Sequence, residues 1–264
     1  MTTILDIAIK AAITAGLEIL RIYNDPQSDF SIERKADNSP LTIADKASNK
    51  IIEDLLRTTE IPVLSEEGKS IDYNERKNWQ KFWLVDPLDG TKEFIKMNGE
   101  FTVNIALIEQ KKPIAGVIYV PVTHILYIGS HNTGSWKIKT TNPETTLIFV
   151  TKHGDKLPKE ITKRGYVIAG SRSHMNDETK KYLSHLRNRH NNVEIISSGS
   201  SLKICMVAEG LADEYPRFGP TMEWDTAAGH AIVNAVGKKL WLTDLSGELE
   251  YNKENLLNPY FIVK

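Results

Sequence analysis

Apolar residues recur at helical spacing in two stretches near the start of the chain. The first runs from residue 4 to about residue 23 and stops before Asp25-Pro26, where a helix is expected to end. The second runs from residue 42 to about residue 57. Its predicted inner face comprises Ile43, Ala47, Ile51 and Leu55. Both stretches predict amphipathic helices, and residues 28–40 between them predict short extended segments joined by turns.

Three stretches of β-forming residues follow. IPVLSEE, residues 61–67, and KFWLVDPLD, residues 81–89, are short apolar runs, and both end in acids. From residue 101 to about residue 139, β-formers alternate with turn sequences such as NTGS, which predicts a meander of antiparallel strands.

The second half of the chain alternates between strand and helix patterns. TTLIFV, YVIAGS, VEIISSGS and ADEYPRF predict strands, whereas NDETKKYLSHLRN, SLKICMVAEG and DTAAGHAIVNAV predict helices, and further strands are expected at the end. The change of pattern falls near Asn142-Pro143. We therefore expect an α+β half at residues 1–142 and an α/β half at residues 143–264, packed as alternating layers into one compact catalytic unit.

Composition narrows the possible functions. The chain has 264 residues, of which 41% are hydrophobic and 25% charged, and its formal net charge is −1, so no overall field attracts nucleic acid. Cys205 is the only cysteine, which excludes an internal disulfide and favours a reducing compartment. The first twenty residues lack the basic start of a signal peptide, and no stretch approaches the roughly 20 apolar residues of a membrane span. We therefore expect a cytoplasmic protein without a transmembrane segment.

Two predicted strands end in carboxylates, at Glu66-Glu67 and at Asp86 and Asp89. A lone buried charge is unfavourable unless it is paired or binds a cation. Carboxylate oxygens suit hard cations such as Mg²⁺, and the chain has no Cys or His pairs with zinc spacing. The alternative stays open at this point, because Asp is a common turn residue and Glu-Glu-Gly is a common solvated turn.

These residues carry a resemblance that covers essentially the whole chain. SEE, DPLDGT and WDTAAG resemble the three signatures of the inositol monophosphatase superfamily, whose members are Mg²⁺-dependent, lithium-sensitive phosphatases. The segments SRSH, GSSLKICMVAEG and YPRFGPTMEWDTAAGH resemble its branch of 3′(2′),5′-bisphosphate nucleotidases of the CysQ type. Ser65 stands where the inositol phosphatases usually have glycine, which also points to the nucleotidase branch. The resemblance implies an α+β fold, a layered α/β/α/β/α sandwich of the inositol monophosphatase and fructose-1,6-bisphosphatase type.

The resemblance also implies the roles of individual residues. The metal ligands for two or three Mg²⁺ ions would be Glu66, Asp86, the Leu88 carbonyl, Asp89 and Asp225. Thr91 and Asp45 would be catalytic and would activate the attacking water. The substrate contacts would be Gly90, Thr91, His174, Ser200, Lys203, Arg217 and Asp225. The residues themselves also allow other interpretations: Asp225 occupies the expected N-cap of a helix, and an isolated Lys or Arg is usually solvated.

Three functions are therefore compared. The favoured one is a phosphatase that removes the 3′-phosphate of adenosine 3′,5′-bisphosphate to give AMP, in sulfur assimilation. The rival is a phosphatase of inositol or sugar phosphates with the same metal core. The third is a non-catalytic protein that binds metal or nucleotide. The expected partner is a small nucleotide bisphosphate; the sequence leaves the oligomeric state open, and the resemblance leaves peripheral membrane association open.

Overall fold

The computed structural model of the chain describes residues 3–34, 40–159, 164–170 and 176–264. The helices in these ranges are α1 (Ile4–Tyr23), α2 (Ile43–Leu56), α3 (Tyr73–Arg76), α4 (Thr91–Ile95), α5 (Leu147–His153), α6 (Asp177–Arg187), α7 (Leu202–Glu209) and α8 (Glu223–Asn234). The strands are β1 (Glu33–Arg34), β2 (Pro40–Leu41), β3 (Val63–Ser65), β4 (Lys81–Asp89), β5 (Thr102–Glu109), β6 (Lys112–Val120), β7 (Ile125–Ser130), β8 (Gly134–Lys139), β9 (Asp155–Leu157), β10 (Tyr166–Gly170), β11 (Val193–Ser197), β12 (Tyr215–Arg217), β13 (Leu240–Leu242) and β14 (Phe261–Val263).

A seven-stranded sheet with the order β3-β4-β5-β6-β7-β8-β9 forms the centre of the molecule. Strand β3 runs parallel to β4, and the remaining neighbours are antiparallel. Side chains of a strand alternate between its faces. Trp83 and Val85 therefore pack with the apolar faces of α1 and α2, whereas Phe82 and Leu84 pack with α7 and α8. Because both faces are covered, β4 is continuously apolar up to its terminal acids.

The layer of α7 and α8 lies between this sheet and a second group of strands. In that group β10 pairs in parallel with β11, β14 lies between β12 and β13, and a bridge from Ile168 to Glu214 connects the two sets. Helix α6 covers the outer side, where Leu183 and Leu186 pack against Ile168. The order of layers is α1 and α2, large sheet, α7 and α8, second sheet, α6, which confirms the predicted α/β/α/β/α sandwich.

Two local predictions need correction. Of the predicted inner face of α2, Ala47, Ile51 and Leu55 pack against the core but are only partly buried, and Ile43 is 40% exposed. The most buried residues of α2 are Ala44, Asp45, Ser48, Ile52 and Leu56. The apolar pattern missed this because two members of the inner face are polar. The segment TTLIFV forms helix α5 instead of a strand, because the Thr146 hydroxyl accepts the Phe149 N–H at 3.2 Å and caps a helical turn.

The large sheet extends past the predicted division of the chain. Strand β9 lies after residue 142 and pairs with β8, so the first sheet takes its last strand from the second half. The division into halves at residue 142 remains a prediction. Among the described residues, no helix is long and apolar enough to cross a membrane.

Candidate active site at the end of strand β4

The last residues of β4 form a fixed turn. The pairing of β4 with β5 shifts register between Asp86 and Asp89, so the chain leaves the regular ladder there. The Leu88 N–H donates to Asp86 Oδ1 at 3.1 Å, and the Ser48 hydroxyl of α2 donates to the Pro87 carbonyl at 2.6 Å. Both bonds are buried, so the Asp86 side chain and helix α2 together fix the turn.

Gly90 connects this turn to α4. Its φ is +97°, a left-handed conformation that glycine adopts without steric strain. A Cβ at this position would also lie 3.1 Å from the Glu100 carbonyl. The Gly90 carbonyl accepts the Phe94 N–H at 2.9 Å, so α4 starts immediately with Thr91. Glycine is therefore required between the last acid of β4 and the first residue of the helix.

Thr91 and Asp45 lie in contact, as the sequence resemblance implied. Asp45 is 1% exposed, and its Oδ2 accepts the Thr42 N–H at 2.7 Å and the Thr42 hydroxyl at 2.5 Å at the start of α2. Its Oδ1 accepts the Thr91 hydroxyl at 3.1 Å. The same hydroxyl lies 3.4 Å from the Leu88 carbonyl. The capping arrangement thus fixes the Asp45 carboxylate, and that carboxylate orients Thr91.

Asp89 is surrounded by hydrogen-bond donors from the opposite side of the cavity. Its Oδ2 accepts the Ser200 hydroxyl at 2.6 Å and the Ser201 N–H at 2.6 Å. Two longer contacts, from the Asn104 amide at 3.3 Å and the Thr102 hydroxyl at 3.4 Å, reach the same oxygen. All four contacts use Oδ2, so the second carboxylate oxygen is left for the cavity.

Asp225 belongs to the first turn of α8 and is not its N-cap, which corrects the sequence interpretation. The helix begins at Glu223, and its N-cap is Met222. Asp225 Oδ2 accepts the Met222 N–H at 2.9 Å. The apolar pattern placed the start two residues late because the buried residue Glu223 is charged. An acid in the first turn is favoured by the helix dipole.

One cavity of about 320 Å³ brings the predicted residues together. Its lining includes Glu66, Asp86, Leu88, Asp89, Gly90, Thr91 and Asp225. Burial, followed by the charges of Glu66, Asp89 and Asp225, raises the pKa of Asp86 well above its ordinary value. Burial and the charge of Asp89 raise the pKa of Asp225 in the same way. Four carboxylates therefore lie close together, and their like charges disfavour the ionised forms of Asp86 and Asp225.

This donor set fits a hard divalent cation. Carboxylate and carbonyl oxygens are the ligands that Mg²⁺ prefers, and a cation between the acids would remove their mutual repulsion. Within the described ranges, no three His, Cys, Asp or Glu side chains already converge tightly enough to form a coordination shell. The carboxylates are thus neighbours on one cavity wall, with Asp86, Asp89 and Asp225 each hydrogen-bonded through one oxygen to a backbone N–H.

A second cavity of about 170 Å³ adjoins the first and contains Lys203 and Arg217. Lys203 lies near the start of α7, as predicted, but it is only 5% exposed. Its ammonium donates to the carbonyls of Ser198 at 2.9 Å and Ser200 at 2.8 Å. Burial lowers the pKa of Lys203 to about 8. This lysine fixes the loop before α7 and is not the solvated cation that its sequence context alone suggested.

Arg217 ends β12, as predicted, and is half-buried. One guanidinium nitrogen donates to the Pro220 carbonyl at 3.0 Å, and the buried Nε has no hydrogen-bond partner among the described residues. Arg217 therefore retains donor capacity beside the second cavity. Cys205 is buried in α7 and belongs to the core. His174 lies outside the described residues.

Four polar residues of the site were missed by the sequence interpretation, namely Ser48, Thr102, Asn104 and Ser201. Each is buried and hydrogen-bonded to the turn at the end of β4 or to Asp89. A signal existed for two of them, since Thr102 and Asn104 are polar at alternate positions of the apolar strand FTVNIALI and so share one face. Ser48 lies three residues after Asp45, on the same face of α2.

Comparisons with known proteins agree with this geometry. A family model described as the inositol monophosphatase family matches residues 1–261. The 3′(2′),5′-bisphosphate nucleotidase CysQ of Shigella flexneri is 46% identical over 263 residues, or 98% of each chain. The crystal structure of CysQ from Bacteroides thetaiotaomicron is similar with a TM-score of 0.91 and 53% identity, over 98% of this chain and 95% of that one. The extragenic suppressor protein suhB from Bartonella henselae is similar with a TM-score of 0.74 and 25% identity, over 98% and 92%. The chain therefore belongs to the inositol monophosphatase family and, within it, to the CysQ-type branch.

Proposed function

We propose that this protein is a Mg²⁺-dependent 3′(2′),5′-bisphosphate nucleotidase that hydrolyses the 3′-phosphate of adenosine 3′,5′-bisphosphate to AMP and phosphate. The family and the CysQ proteins are metal-dependent phosphatases. The observation that carries the proposal is the cavity lined by Glu66, Asp86, Asp89 and Asp225, in which the Thr91 hydroxyl is oriented by Asp45 at 3.1 Å. The identity of the cation as Mg²⁺ and the presence of two or three ions are part of the proposal.

Four carboxylates and the Leu88 carbonyl would bind the cations. When bound, the cations supply Lewis-acid activation of water and compensate the charge on the phosphate oxygens. The protein's contribution is to fix the ligands, because Asp86, Asp89 and Asp225 each accept a backbone N–H through one oxygen. Fixed ligands need little reorganisation as charge develops during the reaction.

Thr91 and Asp45 would orient the attacking water and accept its proton. Asp45 Oδ1 accepts the Thr91 hydroxyl hydrogen, so a lone pair of the hydroxyl oxygen can accept a hydrogen bond from water. Asp45 is buried and fixed by Thr42, which keeps this pair in one orientation. No side-chain nucleophile is required, since Cys205 is enclosed in the core and burial raises the pKa of its thiol.

The adjoining cavity would bind the remainder of the nucleotide. Arg217 contributes a guanidinium suited to bidentate phosphate contacts, and Lys203 places a second positive charge in the same wall. The two cavities share Asp89, Gly90, Glu93 and Asp225 along their common wall. The carboxylate cavity is the one lined by Glu66, Asp86, Asp89 and Asp225, and the cationic cavity is the one that contains Lys203 and Arg217. A substrate with two phosphates can therefore place one phosphate in each cavity.

The proposal is tested by measuring phosphate release from a set of substrates under identical conditions with Mg²⁺. Adenosine 3′,5′-bisphosphate should give the highest kcat/KM, above inositol 1-phosphate, a sugar phosphate and adenosine 3′-monophosphate. The monophosphate comparison isolates the contribution of the 5′-phosphate and hence of the cationic cavity. A higher kcat/KM for inositol 1-phosphate would favour the rival function, and absence of hydrolysis on every substrate would favour a binding protein.

A further inference from the structure

A buried cluster of polar groups beside Asp89 has no role in the chemistry proposed above. Thr102 and Asn104 of β5 are 0% and 1% exposed, and Ser201, before α7, is 3% exposed. The Ser201 hydroxyl donates to Asn104 Oδ1 at 2.9 Å and lies 2.9 Å from the Thr102 hydroxyl. Buried polar groups are unfavourable unless their hydrogen bonds are made. The following positions on this face of β5, Ala106 and Ile108, belong to the apolar core, so the cluster requires an explanation.

The hydrogen bonds of the cluster converge on one atom, Asp89 Oδ2. The Thr102 hydroxyl lies 2.6 Å from the Ser200 hydroxyl, which donates to Asp89 Oδ2 at 2.6 Å. The Asn104 amide and the Ser201 N–H donate to the same oxygen. Residues from β5 and from the loop before α7 thus meet at a single carboxylate oxygen, although they lie about a hundred positions apart in the chain.

We propose that Thr102, Asn104, Ser200 and Ser201 are positioning residues that fix Asp89 through Oδ2 and so present its Oδ1 to the cation. This inference rests on the proposed function for the role of Asp89 as a metal ligand. Carboxylate ligands that are themselves hydrogen-bonded bind metal in a defined orientation, and loss of such a partner weakens metal binding. Thr102 and Asn104 lie on one face of β5, at alternate positions, which allows both to reach the same carboxylate.

The cluster also couples the metal site to the loop that borders the nucleotide cavity. Ser200 has φ +53°, a conformation that is unfavourable for a non-glycine residue and needs support from its surroundings. The support comes from two sides: the Ser200 carbonyl accepts the Lys203 ammonium, and the Ser200 hydroxyl donates to Asp89. The Asp89 carboxylate therefore supports the conformation of the loop that borders the nucleotide cavity.

Two variants and one control test the positioning role. Thr102→Val keeps the side-chain shape and removes the hydroxyl, and Ser200→Ala removes one of the two donors that lie 2.6 Å from Asp89 Oδ2. Ser135→Ala is the control, because Ser135 is an equally buried hydroxyl of the same sheet that donates to the Ile232 carbonyl at 2.6 Å, away from the cavity. Mn²⁺ binding to the metal-free protein without substrate is measured by electron paramagnetic resonance, together with the thermal unfolding temperature.

Thr102→Val and Ser200→Ala should each weaken Mn²⁺ binding about 10-fold or more, as partners of metal ligands do. The phosphatase activity of Thr102→Val should be recovered by raising Mg²⁺, since Thr102 is neither a water-activating nor a substrate-binding residue in the proposed function. Ser135→Ala should bind Mn²⁺ as the wild type does, even where its unfolding temperature falls.

Wild-type Mn²⁺ affinity in both Thr102→Val and Ser200→Ala would overturn the inference. If Thr102→Val does not fold, the Ser200→Ala result decides alone, because Ser200 is only half-buried. The Mn²⁺ measurement contains no nucleotide, so its outcome is separate from the substrate screen that tests the proposed function. A failed screen with weakened Mn²⁺ binding would reject the substrate and retain the positioning role.

Discussion

The carboxylate cavity and the cationic cavity share one wall, but their charges are compensated in opposite ways. On the carboxylate side, burial and then the like charges of Glu66, Asp89 and Asp225 raise the pKa of Asp86. On the cationic side, Lys203 donates to two backbone carbonyls, and burial is the main cause that lowers its pKa to about 8. In one cavity the repulsion among the acids dominates, and in the other the most buried charge already has local hydrogen-bond partners.

This difference indicates which charged groups a bound ligand can stabilise. The carboxylates gain most from cations, since a cation removes their mutual repulsion. Lys203 gains less from a phosphate, because its hydrogen-bond donors already serve the loop at Ser198 and Ser200. Arg217 lines the same cavity, and its guanidinium offers several N–H donors besides the one bonded to the Pro220 carbonyl. We therefore expect direct phosphate binding to depend more on Arg217 than on Lys203.

Removal of divalent cations should have the largest effect on activity. It tests whether the four carboxylates need bound cations for catalysis. Excess EDTA should reduce hydrolysis of adenosine 3′,5′-bisphosphate to background, and added Mg²⁺ should restore it. Ca²⁺ should not substitute, because it prefers longer and looser coordination than Mg²⁺. Inhibition by lithium is expected from the family resemblance. Full activity in EDTA would contradict the assignment of the four acids as metal ligands.

Thr91→Ala should have the next largest effect and separates water activation from metal binding on the carboxylate side. Loss of the oriented hydroxyl should lower kcat by about 10²–10⁴-fold, the usual contribution of general acid–base groups. Mn²⁺ affinity should change little, since the four carboxylates remain. Thr91→Ser is the matched control, because it keeps the hydroxyl that donates to Asp45. Wild-type kcat in Thr91→Ala at saturating substrate would exclude the proposed role.

Arg217→Ala tests the cationic side. A hydrogen bond between charged groups contributes roughly 1.5–3 kcal/mol, so kcat/KM for adenosine 3′,5′-bisphosphate should fall by about one to two orders of magnitude. A small phosphate ester that cannot reach Arg217 should be affected much less. Arg217→Lys should recover only part of the loss, since an ammonium lacks the planar fork.

An equal loss on both substrates would show that Arg217 supports the fold or the metal site instead of the nucleotide. Circular dichroism and thermal unfolding of each variant exclude a general loss of structure.

The same two cavities show what the sequence could and could not predict. The acids of DPLDGT lie within one turn, and their neighbours in sequence are also their neighbours in space. Such local motifs can be identified directly, and the layered fold followed from the resemblance that they carry. The Asp45–Thr91 contact, across 46 positions, was available only through the resemblance, because an acid in the first turn of a helix is otherwise ordinary.

The polar cluster at Asp89 could not be predicted in this way. Thr102 and Asn104 contact Ser200 and Ser201 across about a hundred residues, and no periodicity relates β5 to the loop before α7. The burial of Lys203 was equally hidden, since its partners are backbone carbonyls that exist only once the loop is folded. The inner face of α2 was missed because the residues that contact the site, Asp45 and Ser48, are polar.

The burial of Lys203 gives the smallest predicted effect, a dependence of stability on pH. The folded-state pKa of about 8 lies below the ordinary value of 10.5, with burial as the first cause and with Asp89, Arg217, Glu93 and Glu100 as the charged groups that act on it. Between these two values the unfolded chain binds the proton more strongly than the folded protein. The contribution of Lys203 to the free energy of unfolding should therefore rise as pH increases from about 8 to about 10.5.

Lys203→Met removes this titration and keeps the length of the side chain. Lys203→Met should exceed the wild type in stability most clearly below pH 8. This advantage in the free energy of unfolding should shrink by about 1–3 kcal/mol as the pH rises to 10.5. Denaturant titrations of both proteins at each pH give this difference, in which the titrations of other lysines and tyrosines cancel. A difference that is constant across the range would mean that Lys203 keeps its ordinary pKa. Its two carbonyl contacts would then fully compensate its burial, so the contrast with the mutually repelling carboxylates would be larger.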